Sequence, residues 1–111
     1  MSTSKDTIAF ILKKLGNTPR FTVRAMFGEY ALYADMKTVA LVCDDLLYVK
    51  ICSASASLQE RCEEGPPYPG AKQHYIVTEE QLVDLTELPD ILLAIASSLP
   101  AKRQKIHKAL K

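Results

Sequence analysis

Between Phe21 and Cys52 four β-rich runs follow one another with about two residues separating each from the next. FTVRAMF (21–27), YALYAD (30–35), TVALVC (38–43) and LLYVKIC (46–52) are rich in branched and aromatic residues. The intervening pairs read as tight turns at Gly28 and Glu29, at Met36 and Lys37, and at Asp44 and Asp45. A parallel connection needs a crossover of a dozen residues or more, so this spacing leaves only an antiparallel meander. Alternation in the first run sends Phe21, Val23, Ala25 and Phe27 to one face and Thr22, Arg24 and Met26 to the other.

Helical patterns flank the meander. Ile8, Ile11, Leu12 and Leu15 recur on one helical face, Thr3 with Asp6 resembles a capping box, and Gly16 supplies the stop. Ser53 to Cys62 reads as a short helix. EEGPPYPGA (63–71) can be neither helix nor inner strand, because its three prolines lack donors and fix φ. HYIVT (74–78) reads as a fifth strand, and Thr78 with Gln81 caps a short helix. A last helix starts near Pro89 with an apolar face of Ile91, Leu92, Ile95, Ala96 and Leu99, and Pro100 ends it. The expected class is α+β: an antiparallel β-meander of about five strands with helices packed on one face and the other face partly open to water. Residues 1–100 form one domain, followed by a basic tail or short helix over 101–111.

Composition sets the class of protein. The chain has 111 residues, 48% of them hydrophobic and 24% charged, which is the balance of an ordinary globule. No apolar run reaches the ~18 residues of a membrane span, and MSTSKDTIAF lacks the pattern of a secretory signal. The expected compartment is the cytoplasm. Three cysteines, Cys43, Cys52 and Cys62, give no disulfide framework and read as small buried hydrophobes. Cys62 is the one candidate for a reactive thiolate, and its neighbours Glu63 and Glu64 are expected to raise its pKa.

Charge is distributed unevenly. The net formal charge of +1 divides into +3 over residues 1–43, −7 over 44–90 and +5 over 91–111. Such asymmetry marks either a surface for a charged partner or an acidic face folded against a basic one.

The chemistry-bearing residues do not assemble into a catalytic set. His74 and His107 stand far apart without ligands at metal spacing, and neither a nucleophile elbow nor a phosphate-binding glycine loop is present. No catalytic residue, cofactor or metal site is expected. Asp44 and Asp45 read as a hairpin turn rather than an acid/base pair. Three binding readings remain. Arg24, Met26, Tyr33, Tyr48 and Lys50 could form a patch for a protein partner. Lys102, Arg103, Lys105 and Lys108 could hold nucleic-acid phosphates, with Tyr30, Tyr33, Tyr48 and Tyr75 as a stacking face. A small anionic ligand could lie near Arg24 and Lys50.

The blocks RAMFG, YALYAD, TVALVCDDLLYVKI and YPGAKQHYIVTEEQLVD resemble, in order and spacing, the TfoX N-terminal domain family, the Sxy regulators of competence. The matching residues are Arg24, Met26, Phe27, Gly28, Tyr30, Leu32, Tyr33, Leu47, Tyr48, Lys50, Tyr75 and Val77, and the resemblance covers about residues 5–99. It implies a small α+β domain without catalysis or cofactor. Longer members of that family regulate genes for natural transformation in bacteria together with the cyclic-AMP receptor protein, and they add a C-terminal helical domain. This chain ends at Lys111, so the resemblance implies a stand-alone N-terminal domain that works through a protein of the transcription machinery. The expected state is a monomer or weak homodimer, since an exposed sheet edge permits strand pairing. One departure is Met36, where the family often has glycine in a D-G-K turn.

Overall fold

In the computed structural model, which describes residues 3–26 and 28–100, the meander forms as expected and gains a sixth strand. Strands β1 (Phe21–Met26), β2 (Glu29–Ala34), β3 (Lys37–Cys43), β4 (Leu46–Lys50), β5 (Glu63–Gly65) and β6 (His74–Val77) make one antiparallel sheet in the order β1-β2-β3-β4-β6-β5. The helices are α1 (Lys5–Lys14), α2 (Glu79–Asp84) and α3 (Leu88–Ser98), with a 3-10 turn over Ser53–Leu58. The fold is therefore α+β, with one strand more than the sequence suggested. That strand, β5, falls within the proline-rich stretch. It ends at Gly65, immediately before Pro66, and it is an edge strand, the place where a neighbouring proline costs least.

The first two turns sit one residue earlier than expected, and the third is at Asp44–Asp45 as expected. Met26 pairs with Glu29 and Ala34 with Lys37, so the connecting residues are 27–28 and Asp35–Met36. Gly28 has φ +84°, which a residue without Cβ adopts freely. Asp35 and Met36 have φ +50° and +69°, and Asp44 and Asp45 have +54° and +65°. Two consecutive left-handed residues are the signature of a type I′ turn, whose twist matches that of the flanking strands. Aspartate tolerates this region and methionine does so poorly. The register of β2 on β3 shifts by one between Leu32 and Tyr33, because Val39 is an extra residue on β3. Val39 and Ala40 are in consequence both buried.

Helix α1 starts one residue later than Thr3 suggested. Ser4 is its N-cap, accepting from the Thr7 amide, and the end follows a Schellman pattern. There the Gly16 and Asn17 amides donate to the carbonyls of Lys13 and Leu12. Thr3 instead ties α1 to the sheet. Its hydroxyl donates to Glu29 Oε1 at 2.5 Å, and it accepts from the Asp45 amide. The Asp45 carboxylate in turn accepts from the Ser4 amide at 2.9 Å and the Thr7 hydroxyl at 2.8 Å. The acidic pair thus serves as a turn whose second member caps a helix, and these donors hold the Asp45 carboxyl below its ordinary pKa.

One face of the sheet carries the core. Leu32, Ala40, Val49 and Tyr75 form a transverse row across β2, β3, β4 and β6, followed by Val42, Leu47 and Val77. Against them pack Leu88, Ile91, Leu92, Ile95 and Ala96 of α3, Ile8, Ile11 and Leu15 near α1, and Leu58. Each fully buried leucine or isoleucine contributes roughly 1.5–3 kcal/mol of hydrophobic stabilisation. Among the described residues no helix is long and apolar enough to cross a membrane.

Two outcomes are expected. Replacing Met36, whose side chain is 80% exposed, by glycine removes the left-handed strain at no packing cost. The urea midpoint should rise by an amount equivalent to ~0.5–1 kcal/mol with an unchanged m-value. The second concerns pH. A depressed carboxylate pKa gives stability that is complete above the unfolded value of about 4 and is lost as pH falls through the folded value. Asp45→Asn keeps a residue tolerant of positive φ but removes the titration. Its melting temperature should fall less steeply than that of the wild type as the pH is lowered below about 4.

Candidate functional site

The sheet face opposite the helices is built from the alternate residues of each strand. One transverse row runs Arg24, Ala31, Leu41, Tyr48, Ile76, Glu63. Ala31, Tyr48 and Cys43 are buried on this side although they lie outside the main core. The cover comes from the proline-rich loop between β5 and β6. Pro67 is buried, and between it and the sheet runs a largely apolar cleft of about 400 Å³. Met26, Leu41 and Cys43 line it from the sheet, and Pro67 and Tyr68 from the loop. Met26 is 39% and Tyr68 53% exposed, so two large apolar groups stand at its mouth. The expected partly open face is thus roofed over its middle and open toward β1.

A second, more polar cleft of about 610 Å³ lies at the β1 edge, lined by Thr22, Arg24, Tyr33, Asp35, Met36 and Lys37. Two of its charges are engaged in holding the fold. Arg20 grips Asp35 through Nε–Oδ1 at 2.8 Å and Nη2–Oδ2 at 2.6 Å, which lowers the Asp35 pKa. Lys37 Nζ donates to the carbonyls of Ala96 and Leu99, both at 3.0 Å, at the C-terminal end of α3. A cation there satisfies the Leu99 carbonyl, supplements the Ala96 carbonyl that already accepts from the Leu99 amide, and meets the negative end of the helix dipole. Arg24 is exposed and makes no ion pair among the described residues.

The candidate partner residues are therefore dispersed. Arg24 and Tyr33 line the edge cleft, and Met26 stands at the mouth of the apolar one. Tyr48 is 8% exposed and lies within the sheet, paired with Leu41 and Ile76. Burial, with Cys43, Asp44 and Glu29 nearby, pushes its phenol pKa up. Lys50 pairs with His74 on β4. Strands β2 and β3 separate it from Arg24, a span of roughly 14 Å at three strand spacings. The structure does not bring those two cations to one small ligand.

The four tyrosines also divide. Tyr30 and Tyr75 pack toward the helices, while Tyr33 and Tyr48 belong to the opposite face, so they do not form a single stacking surface. Lys102, Arg103, Lys105 and Lys108, together with Phe27, lie outside the described residues. The Cys62 thiol is pushed up in pKa as expected, but by burial rather than by Glu63 and Glu64, with Arg61 opposing. Burial is also the main cause at Cys43. Sequence reasoning missed Leu41, Cys43, Pro67 and Tyr68. The available signal was a tyrosine flanked by prolines, a rigid segment with an exposed aromatic ring.

The charge gradient becomes spatial. Arg20 and Arg24 lie at the β1 end, while Glu63 and Glu64 occupy the opposite edge at β5. Among the described residues only two ion pairs form, Arg20–Asp35 and Arg61–Glu87.

Comparison with known proteins points one way. The family model of the TfoX N-terminal domain matches residues 12–96. An uncharacterized 12.7 kDa protein in the trpE 5' region of Spirochaeta aurantia is 36% identical over 108 residues, covering 97% of this chain and 93% of that protein.

The edge cleft gives a sharp test of what Lys37 does. Lys37→Met should lower stability by about 1–2 kcal/mol, the scale of a half-exposed hydrogen bond to a charged group. Hydrogen exchange should quicken at the last amides of α3. Unchanged stability would show that this lysine is available to a ligand.

Proposed function

This chain belongs to the TfoX N-terminal domain family, and from that premise we propose that it is a non-enzymatic regulatory domain that docks a protein partner of the transcription machinery in the cytoplasm. The observation that supports this most is the apolar cleft under the proline loop, with Met26 and Tyr68 exposed at its mouth. Arg24 stands on the same sheet face. Methionine, tyrosine and arginine are enriched at protein interfaces, and an aromatic or aliphatic anchor beside a pocket is the usual centre of binding energy. Rigid support favours the same use. Cys43, Ala31 and Tyr48 are packed beneath the surface, so the face does not reorganise on docking. The raised pKa values of Cys43 and Cys62 weigh against a thiolate nucleophile.

The test compares wild type with Arg24→Glu/Met26→Asp. Both side chains are exposed, so the variant should fold with a near-wild-type melting temperature. Affinity capture from the native cytoplasm, with cross-linking, should recover a discrete protein with the wild type and lose it with the variant. Identical recoveries would move the docking site elsewhere. Fluorescence anisotropy with DNA checks the nucleic-acid reading. Binding that survives physiological salt and disappears when residues 101–111 are removed would replace the present proposal.

A further inference from the structure

The two edges of the sheet are unlike. At one end β5 is three residues long, carries Glu63 and Glu64, and runs into Pro66. Shortness, charge and proline are the devices by which natural sheets block further strand pairing. At the other end β1 is six residues long, contains no proline, and pairs only with β2 among the described residues. Thr22, Arg24, Ala25 and Met26 are exposed.

The backbone polarity of β1 follows from one hydrogen bond. The Asp35 amide donates to the Arg20 carbonyl at 2.9 Å, which makes Arg20 and Asp35 a hydrogen-bonded pair in the β1–β2 ladder. Such pairs alternate, so Thr22, Arg24 and Met26 direct their N–H and C=O groups to β2. Phe21, Val23 and Ala25 direct theirs outward. The Phe21 amide is taken by the Thr18 carbonyl, but among the described residues nothing pairs with the amides of Val23 and Ala25 or the carbonyls of all three, which face an open edge.

We propose that this edge joins two copies of the chain, β1 against β1, antiparallel about a two-fold axis at Val23. The outward groups are spaced symmetrically around that residue. Val23 of each copy bonds reciprocally to Val23 of the other, and each Ala25 amide meets the Phe21 carbonyl of the second copy. Four backbone bonds form. On the helix-facing side, Val23 lies against Val23 and Ala25 against Phe21, all apolar. Val23 is only half-buried and Ala25 is exposed in the single chain, because the helix layer does not cover them. On the other side Arg24 faces Thr22 of the second copy. The two arginines stand diagonally about 7–8 Å apart, exposed and largely screened at physiological salt.

A second copy fits better than an unrelated strand because the free groups are self-complementary about one point. The closed β5 edges end the assembly at two copies, so no filament grows. A strand pair of this length lies below the ~1,200–2,000 Å² of a stable interface, so association is weak and is measured up to millimolar protein. The proposal is independent of the partner-docking reading.

Sedimentation equilibrium of the full chain should show reversible dimer formation between micromolar and millimolar concentration. Exchange of the Val23 and Ala25 amides should slow as concentration rises, while Thr22 and Arg24 amides stay protected throughout. Ala25→Pro deletes an outward amide and leaves the β1–β2 ladder intact, and proline is tolerated on such an edge. It should remain monomeric with a near-wild-type melting temperature at low concentration. A wild type that stays monomeric at millimolar concentration overturns the proposal. So does a dimer that persists in Ala25→Pro, or exchange at Val23 and Ala25 that ignores concentration.

Discussion

Everything in this domain depends on how few residues join the strands of the meander. With two residues per turn, the twist of each hairpin must match the twist of the strands it joins, which consecutive left-handed residues achieve in a type I′ turn. Asp35–Met36 and Asp44–Asp45 accept this conformation without any glycine. Once the turns close, the register across β1 to β4 is fixed, and a slip of one residue would turn Leu32, Val42 and Leu47 to the wrong side. The bulge at Val39 is the one adjustment the system makes. The helices then need only to cover a surface that the sheet has already defined.

Much of this was legible in the chain. Periodicity of two and of about 3.6 located the meander, α1 and α3, and the Thr78–Gln81 box placed the start of α2 to the residue. Errors fell where neighbouring signals compete. Thr3 and Ser4 are both good caps, and only the tertiary demand of Glu29 and Asp45 assigns Thr3 to the sheet. The prolines at 66, 67 and 69 masked β5, whose pairing with β6 is a non-local event.

The surface was harder to read, for physical reasons. Tyr48 sits in a continuous apolar run, and such a run marks a strand buried on both faces. Its position between β3 and β6 could not be known before strand order. Lys37 read as half of a tight turn. Its partners, Ala96 and Leu99, are 59 and 62 residues away in the chain. The path of a proline loop over the sheet leaves no local signal, which is why the cleft beside Cys43 emerged only from the folded molecule.

The Lys37 contact has a practical consequence for geometry. It secures the end of α3 at the Asp35–Met36 turn, whereas Thr3 is held beside Gly28 and Asp45 at the other end of the strands. Thr3 and Leu99 therefore lie at opposite ends of the strands, separated by a strand length of roughly 17–20 Å. The apolar cleft, with Met26 and Glu29 on its border, lies at the Thr3 end. A surface anchor or a fused module attached after Pro100 would present that cleft outward, like a cup held by its base. The same attachment ahead of Thr3 would crowd its rim.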